Sequence, residues 1–215
     1  MTTRVLIVDD HPAVREGLAV RISSQEDLEV CSQASDVNDT LRQLDTVRPD
    51  VAVVDIQLKT GDGLELVKRI KARHESIQIL VWSVYPDKVY AERALKAGAL
   101  GYINKEHSTG RIVDAIRRVR DGKIYLSDEM AESLLSKSVG GRPSRNNSPV
   151  EALSDRELEV FRLIGEGLST AQVAQRLHLS PYTVDTHRQR IKEKLSLATT
   201  AELTQAAIRW TLERE

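Results

Sequence analysis

The sequence predicts a doubly wound α/β domain with a five-stranded parallel sheet, followed by a small all-α helix-turn-helix domain. Three observations predict it. Short apolar runs alternate with helical patterns over the first half of the chain, a segment rich in Gly, Pro, Ser and Asn follows, and beyond that segment the periodicity is helical only.

Each element follows from its own pattern. The run RVLIV at 4–8 ends in Asp9 and Asp10, and VAVV at 51–54 ends in Asp55. ILVW at 79–82 ends in Ser83, and LGYI at 100–103 stops just before Lys105. Continuous apolar runs of this length read as strands buried on both faces, the habit of a parallel sheet. A further strand at 28–33 makes five. Between them, residues 12–24 open with Pro12, acceptable in a first turn, and repeat Val14, Leu18 and Ile22 at helical spacing. Residues 36–47 carry Val37, Leu41 and Leu44, residues 63–72 carry Leu64, Val67 and Ile70, and residues 87–97 stop at Gly98, a good left-handed helix end. Two more helices, at 108–121 and 127–136, are separated by Gly122 and a short apolar turn of Ile124, Tyr125 and Leu126.

These patterns divide the chain into an α/β domain at 1–121, an extra helix and flexible linker at 122–152, and a helical domain at 153–215. The linker is legible in the stretch KSVGGRPSRNNSPV at 137–150. In the last domain Ser154 with Glu157, and Ser169 with Gln172, have the spacing of capping boxes. Ser180 before Pro181 is an N-cap followed by proline at the first helical position. Four helices joined by very short turns result.

Composition narrows the function classes. The 215 residues are 40% hydrophobic and 29% charged, as in soluble globular proteins. A net charge of −1 gives no global basic field, so any DNA-binding surface is a local patch. The single cysteine, Cys31, cannot form an internal disulfide and fits a reducing compartment. No apolar run approaches the roughly 18 residues of a membrane span, and no basic start precedes an apolar core. The expectation is a soluble, cytoplasmic protein without a membrane partner. A P-loop and a catalytic Ser/His/Asp set are both absent from the sequence, which argues against an enzyme with a separate substrate.

Asp9, Asp10, Asp55, Ser83 and Lys105 are distant in sequence, yet each stands at or just beyond the C-terminal end of a predicted strand. In an open parallel sheet those ends face one crevice. Two or three carboxylates there form a hard oxygen cage suited to Mg2+ with a phosphate as co-ligand. A carboxylate oxygen can attack phosphorus and form an aspartyl phosphate, with charge on the phosphoryl oxygens neutralised by Mg2+, Lys105 and the Ser83 hydroxyl. In this reading Asp10 is a direct ligand, Asp9 acts through water, and Gln57 offers a backbone carbonyl.

Residues 1–121 resemble a response-regulator receiver domain. The resemblance rests on VDDHP, the aspartate closing VAVVD, GDGLELV, the serine of VWS, and KAGALGYINK. It implies Mg2+-dependent phosphorylation of Asp55 by a partner histidine kinase and later loss of the phosphoryl group to water. It also implies that Ser83 and Tyr102 move together on phosphorylation, although an aromatic at 102 can equally be a packing residue. The chain departs from such domains at 58–59, where Leu58-Lys59 stands in place of a Met-Pro pair. The absence of proline predicts a looser loop, with a flexible cation near the site.

In the C-terminal part, residues 180–195 place Val184, Ile191 and Leu195 on one face, with His187 packed beside them by a satisfied hydrogen bond. The opposite face presents Tyr182, Asp185, Thr186, Gln189 and Glu193, flanked by Arg188, Arg190, Lys192 and Lys194. A polar outer face with cations at its sides suits a DNA major groove. The order LSDRELEV, GLSTAQVAQRL, LSPYTVDTHRQRIKEKL resembles the tetrahelical helix-turn-helix of the NarL/FixJ/LuxR regulators over about 153–207. The resemblance implies that Asp185, Thr186 and Gln189 face base edges, and that Thr183, Arg188, Arg190 and Lys192 face phosphates, with Ser180 at the start of the reading helix. It implies a dimer contact from Leu203, Ala206, Ala207 and Trp210, which can instead complete the domain core. Operator half-sites, a phosphorylation-dependent second copy and RNA polymerase are the partners that follow. Many relatives carry lysine at position 185; the aspartate predicts a different operator, since a carboxylate accepts from the amino group of cytosine. The near-neutral charge and Asp185 also leave open a co-regulator or adaptor whose helical domain binds a protein.

Overall fold

The computed structural model describes residues 2–107, 110–138 and 149–212, so residues 139–148 of the expected linker lie outside the described residues. Two compact units divide the chain, residues 1–139 and 140–215.

The first unit alternates strand and helix: β1 (Thr3–Val8), α1 (Pro12–Ser23), β2 (Leu28–Ala34), α2 (Val37–Val47), β3 (Val51–Val54), α3 (Gly63–Arg73), β4 (Gln78–Ser83), α4 (Asp87–Ala97), β5 (Gly101–Asn104), α5 (Ile112–Arg120) and α6 (Asp128–Ser138). All five strands are parallel in the order β2-β1-β3-β4-β5. The apolar runs explain the centre of the sheet, because every residue of β3 and β5 is buried. One side of the sheet packs Val5, Ile7, Val51, Val53 and Leu80 against Leu18 and Ile22 of α1 and Ile112, Ile116 and Val119 of α5. Burying each such side chain contributes about 1.5–3 kcal/mol, enough to override the modest helix preference of the β-branched residues.

Local signals set the helix ends. Asp36 and Asp62 cap α2 and α3 by accepting from the N–H groups of Asp39 and Glu65. Gly98 ends α4 at φ 107°, in the left-handed region predicted for it. A 3-10 turn at Lys105–His107 follows β5 and was not signalled by periodicity. The apolar turn at 124–126 also has a structural role beyond connection. Tyr125 pairs in parallel with Gly101: its N–H donates to the Leu100 carbonyl at 3.0 Å and its carbonyl accepts from Tyr102 N–H at 2.9 Å. The chain thereby covers part of its own sheet edge, and α6 continues from there.

A charged clamp ties α5 to the loop before β2. Arg117 Nη2 and Nε lie 2.6 and 3.0 Å from the two Asp27 oxygens, and Arg120 Nη1 lies 3.2 Å from one of them. The Arg117 hydrogen bonds lower the Asp27 pKa from 3.8 to about 2. A carboxylate with a depressed folded pKa adds stability that is present above its unfolded value and lost as pH falls through the folded one. Acid unfolding of the native chain is therefore expected to include a component between about pH 4 and pH 2, the span of the Asp27 shift. Asp27→Asn is expected to flatten that component, as measured by urea midpoints against pH.

The second unit begins with a 3-10 turn at Pro149–Ala152 and contains α7 (Asp155–Gly165), α8 (Thr170–Leu177), α9 (Pro181–Lys194) and α10 (Thr200–Leu212). Both expected capping boxes form, at Ser154/Glu157 and Ser169/Gln172. Ser180 caps α9 by accepting from Thr183 N–H at 3.0 Å. The turn between α8 and α9 is made by His178 in the left-handed region at φ 52°. Gly165 lets α10 approach α7 closely, since a Cβ there would sit 2.5 Å from the Ala207 carbonyl oxygen. Among the described residues, no helix is long and apolar enough to cross a membrane.

Candidate functional site

The sheet order places the ends of β1, β3, β4 and β5 side by side, and the predicted residues meet there. The ladder runs one residue past the strands: Asp9 N–H donates to the Ala34 carbonyl at 3.1 Å, and Asp55 N–H to the Val8 carbonyl at 2.8 Å. Both aspartates are thus held by backbone as well as side chain. Lys105 Nζ reaches Asp9 Oδ2 at 2.5 Å and Asp55 Oδ2 at 2.7 Å, binding three strand ends into one cluster. Asp9 and Asp55 are almost wholly buried. Burial pushes the Asp55 carboxyl above the usual carboxylate range; Lys105 opposes that rise and the Asp9 charge adds to it.

Asp9, Asp10, His11 and Asp55 each offer one ligand atom, all within 4.8 Å of one another. Asp10 Oδ1 is buried and has no hydrogen-bond partner among the described residues, which is the condition a bound cation relieves. Three carboxylates form a hard oxygen donor set of the kind that holds Mg2+. Gln57 follows Asp55 by two residues; its N–H lies 3.3 Å from Asp55 Oδ1, and the residue bridges Asp62 across the loop. Ser83 Oγ is fully buried and likewise has no hydrogen-bond partner among the described residues.

Tyr102 lies inward, 1% exposed, and its hydroxyl donates to the Tyr85 carbonyl at 2.6 Å. Burial and then the charge of Asp87 raise its pKa well above 10.0, so the hydroxyl keeps its proton to donate. Leu58 is buried and Lys59 exposed, and Gln57 Oε1 accepts from the Tyr85 hydroxyl at 2.8 Å. Leu58 thus packs inward in the segment for which the sequence predicts a looser loop. Gly63 allows α3 to abut Asp55: a Cβ at 63 would lie 2.0 Å from the Asp55 carbonyl oxygen and 2.6 Å from Ile56 Cα. Backbone cannot yield cheaply, so Gly63→Ala is expected to destabilise the α/β unit by about 3 kcal/mol, measured by urea unfolding.

Sequence reasoning missed several neighbours. His11 stands beside Asp10, with Nδ1 2.7 Å from Asp10 Oδ1. Arg15 Nη1 donates to the Asp9 carbonyl at 2.5 Å. Trp82 has Lys105 Nζ 5.0 Å from its ring centroid. Asn104 Nδ2 donates to the Tyr85 carbonyl at 3.0 Å. His11 was adjacent to a predicted ligand and therefore findable; the other three depend on contacts between separate strand ends and helices.

In the second unit α9 carries the predicted outward face. Tyr182 is 82% exposed, and Ser180, Asp185, Gln189 and Arg190 are exposed. Thr183, Thr186, Arg188 and Lys192 are half-buried, and several of these groups already have local partners. Ser180 and Thr183 share a hydrogen bond of 2.8 Å, Thr186 Oγ1 donates to the Tyr182 carbonyl at 3.0 Å, and Gln189 Nε2 donates to Glu193 at 2.9 Å. Arg188 Nη1 donates to Thr170 Oγ1 at 2.9 Å, fixing α9 to the start of α8. Lys194 pairs with the buried Glu157 at 2.6 Å.

Two expectations need correction. Leu203 and Ala207 are 0% exposed, packed within their own domain, so they form core and not a dimer surface. Trp210 packs its ring 5.4 Å from that of Phe161, and Ala206 is half-buried; the large exposed apolar residues of α10 are Ile208 and Leu212. His187 Nδ1 is buried without a hydrogen-bond partner among the described residues, contrary to the satisfied histidine expected. Burial, then the charge of Arg156, pushes its pKa below 6.5, which keeps the ring neutral.

A parallel α/β unit with an acidic pocket at its strand ends, joined to a helix-turn-helix unit, defines a class of signalling protein with a nucleic-acid-binding output. Residues 5–117 match the response regulator receiver domain, and residues 151–207 match the bacterial regulatory proteins of the luxR family. The chain is 35% identical over 206 residues to the response regulator GacA of Pseudomonas viridiflava, covering 96% of this chain and 95% of that protein. It is 32% identical over 210 residues to the oxygen regulatory protein NreC of Staphylococcus carnosus, covering 96% and 97%. Among solved structures, RcsB from Salmonella enterica serovar Typhimurium, bound to promoter rprA in the presence of phosphomimetic BeF3−, shares the fold at a TM-score of 0.70 and 24% identity, covering 95% of this chain and 98% of that one. The response regulator ChrA of a heme-sensing two-component system is 32% identical at a TM-score of 0.52, covering 98% of each chain. The chain belongs to the two-component response regulators with a LuxR-type DNA-binding domain. That family comprises transcription factors and not catalytic enzymes.

Proposed function

We propose that Asp55 accepts a phosphoryl group from the phosphohistidine of a cognate histidine kinase, and that this modification controls binding of α9 to operator DNA. The observation that carries the reading is the buried cluster in which Lys105 bridges Asp9 and Asp55 beside the Asp10 carboxylate. Mg2+, held by Asp9, Asp10, Asp55 and the Gln57 carbonyl, would neutralise charge on the phosphoryl oxygens. An Asp55 carboxylate oxygen attacks phosphorus, forming an O–P bond as the N–P bond of the kinase breaks and its imidazole leaves. Lys105 keeps the acceptor oriented and balances the added charge. The Ser83 hydroxyl, buried at the end of β4, hydrogen-bonds a phosphoryl oxygen. Hydrolysis later transfers the phosphoryl group to water and restores the carboxylate.

The output is a population shift. The phosphorylated receiver favours a state that pairs two copies, which then read half-sites about one turn apart through α9. Tyr102 couples the site to the outer face of β5 by exchanging its hydrogen bond to Tyr85. Asp185 and Gln189 face base edges, and Arg190 and Lys192 flank them toward phosphates; Arg188 holds α9 against α8. Ile208 and Leu212 offer the exposed apolar surface for a second copy. The pairing takes place in the cytoplasm, where RNA polymerase is the downstream partner.

The test uses the full chain with Mg2+ and beryllofluoride, compared with Mg2+ alone. Sizing chromatography should show a shift to dimer, and selection from random genomic fragments should yield a sequence-enriched set whose affinity falls steeply between two salt concentrations. Unchanged size together with unchanged DNA affinity would overturn the switch. Retention of a protein partner without enrichment of any DNA would favour an adaptor.

A further inference from the structure

The turn after α5 borders a second cavity on the α/β unit, apart from the acidic pocket. It measures about 620 Å3 and is lined from the starts of α4 and α6, from α5, and from the end of β5. Asp9, Asp10, Asp55 and Lys105 take no part in the lining. Tyr102 does, so the cavity shares a wall with the aromatic that donates to the Tyr85 carbonyl. Small organic ligands occupy clefts of roughly 300–1,000 Å3, and this one falls within that span.

Two cations in the lining are not used by the fold. Arg118 Nε donates to the Ile124 carbonyl at 3.0 Å. That bond holds the guanidinium in place, while its two terminal nitrogens have no partner among the described residues. Arg111 shares that face of α5 and has no hydrogen bond or ion pair among the described residues. Its side chain does not cap α5, and a cation gains nothing at that end of a helix. Arg117 and Arg120, by contrast, are both paired with Asp27. Tyr125 reports how close the two free guanidiniums come. Burial raises its pKa, Arg111 and Arg118 oppose the rise, and Asp114 and Asp128 add to it. Its hydroxyl therefore keeps a proton to donate into the cavity that it helps to line.

The acids nearby do not cancel this charge. Asp87 and Asp128 in the lining are the first residues of α4 and α6, where the helix ends offset a carboxylate. Asp114 is paired with Arg117 at 3.7 Å. The uncompensated charge is thus positive and belongs to α5. Beside it Ile124, 54% exposed, and the half-buried Leu126 supply an apolar wall.

We propose that this cavity binds a small organic anion, its acidic head held by Arg111 and Arg118 and its apolar body against Ile124 and Leu126. The fork of Arg118 suits a carboxylate, sulfonate or phosphate, and the Tyr125 hydroxyl adds a donor. The site gives the chain a second, non-covalent input beside Tyr102, independent of the chemistry at Asp55.

Titration of the full chain with anilinonaphthalene sulfonate tests it, read by fluorescence and by calorimetry, because that probe joins an anionic head to an apolar body. The wild type should show a single saturable site per chain. Replacing both arginines, Arg111→Gln with Arg118→Gln, should lower affinity about tenfold or more, the size of a charge-assisted pair. Ala131→Phe fills the cavity from α6 without altering charge and should weaken binding as much. Phenylnaphthylamine, the uncharged counterpart, should bind more weakly and lose less than about twofold in the arginine variant. Circular dichroism on each variant checks that the α/β unit is folded. Undiminished sulfonate binding in both variants, or no saturable binding by the wild type, would overturn the site. Equal losses of the charged and uncharged probes in the arginine variant would overturn the assignment of an anion.

Discussion

Asp55→Asn is expected to reduce phosphoryl incorporation from acetyl phosphate to background while raising the thermal midpoint of the α/β unit. The two effects have one cause. Asp55 sits buried beside Asp9, and burial raises its pKa above the ordinary value despite Lys105. A raised carboxylate pKa means that the folded state disfavours the charged form relative to the unfolded chain, so at neutral pH the ionised group costs stability. An amide removes that cost and leaves Lys105 its 2.5 Å contact with Asp9. A gain of 1 kcal/mol corresponds to about 4 °C in a unit of this size. Phosphate-affinity electrophoresis and differential scanning calorimetry on the same preparation measure both. A variant that lost incorporation with a fall in midpoint would show that the carboxylate holds the strand ends together more than it strains them. A variant that kept incorporation would show that another residue accepts the group.

Asp185→Lys is expected to change both how tightly and what DNA the protein binds. Asp185 is exposed on the outer face of α9, between the half-buried Thr183 and Arg188. As a carboxylate it repels phosphates and accepts from cytosine, a discrimination worth about 1–3 kcal/mol per well-made contact. Lysine adds one phosphate neutralisation, so the slope of log affinity against log salt should steepen by about one. The selected sequences should lose the cytosine preference at one position of each half-site. Filter binding at several salt concentrations, paired with a sequence selection, separates the two effects. An unchanged base preference with the steeper slope would assign Asp185 to the phosphate flank and not to base reading.

The sequence was most informative where one physical demand fixes a residue type. Strands buried on both faces need continuous apolar runs, and in a capping box the serine accepts from the N–H three residues on while a carboxylate there accepts from the serine N–H, so 51–54 and the Ser154/Glu157 pair could be read directly. The acidic pocket was legible for a related reason: topology alone brings strand ends together, whatever the loops do. The rest depended on distances between elements. Nothing in the local pattern around Tyr85 signals that it contacts both Gln57 and Tyr102, because those contacts cross 28 and 17 residues. Leu203 and Ala207 have the same spacing whether they face a second copy or their own α7, and only the packing decides. The hydrogen bond from Arg188 on α9 to Thr170 at the start of α8 likewise crosses 18 residues and has no local signal.

The pairing of Tyr125 with the edge of β5 has a consequence for the chain's life before any signal arrives. An uncovered terminal strand in a parallel sheet is a template onto which nascent or stressed chains can add, and parallel sheets fold slowly enough to expose it. The Leu100 carbonyl and the Tyr102 N–H are occupied by Tyr125 once α5 and the turn after it have followed β5. The protein thus closes this route to misassembly with its own following residues, and deleting the turn at 123–127 should raise the burden on chaperones before it touches signalling at all.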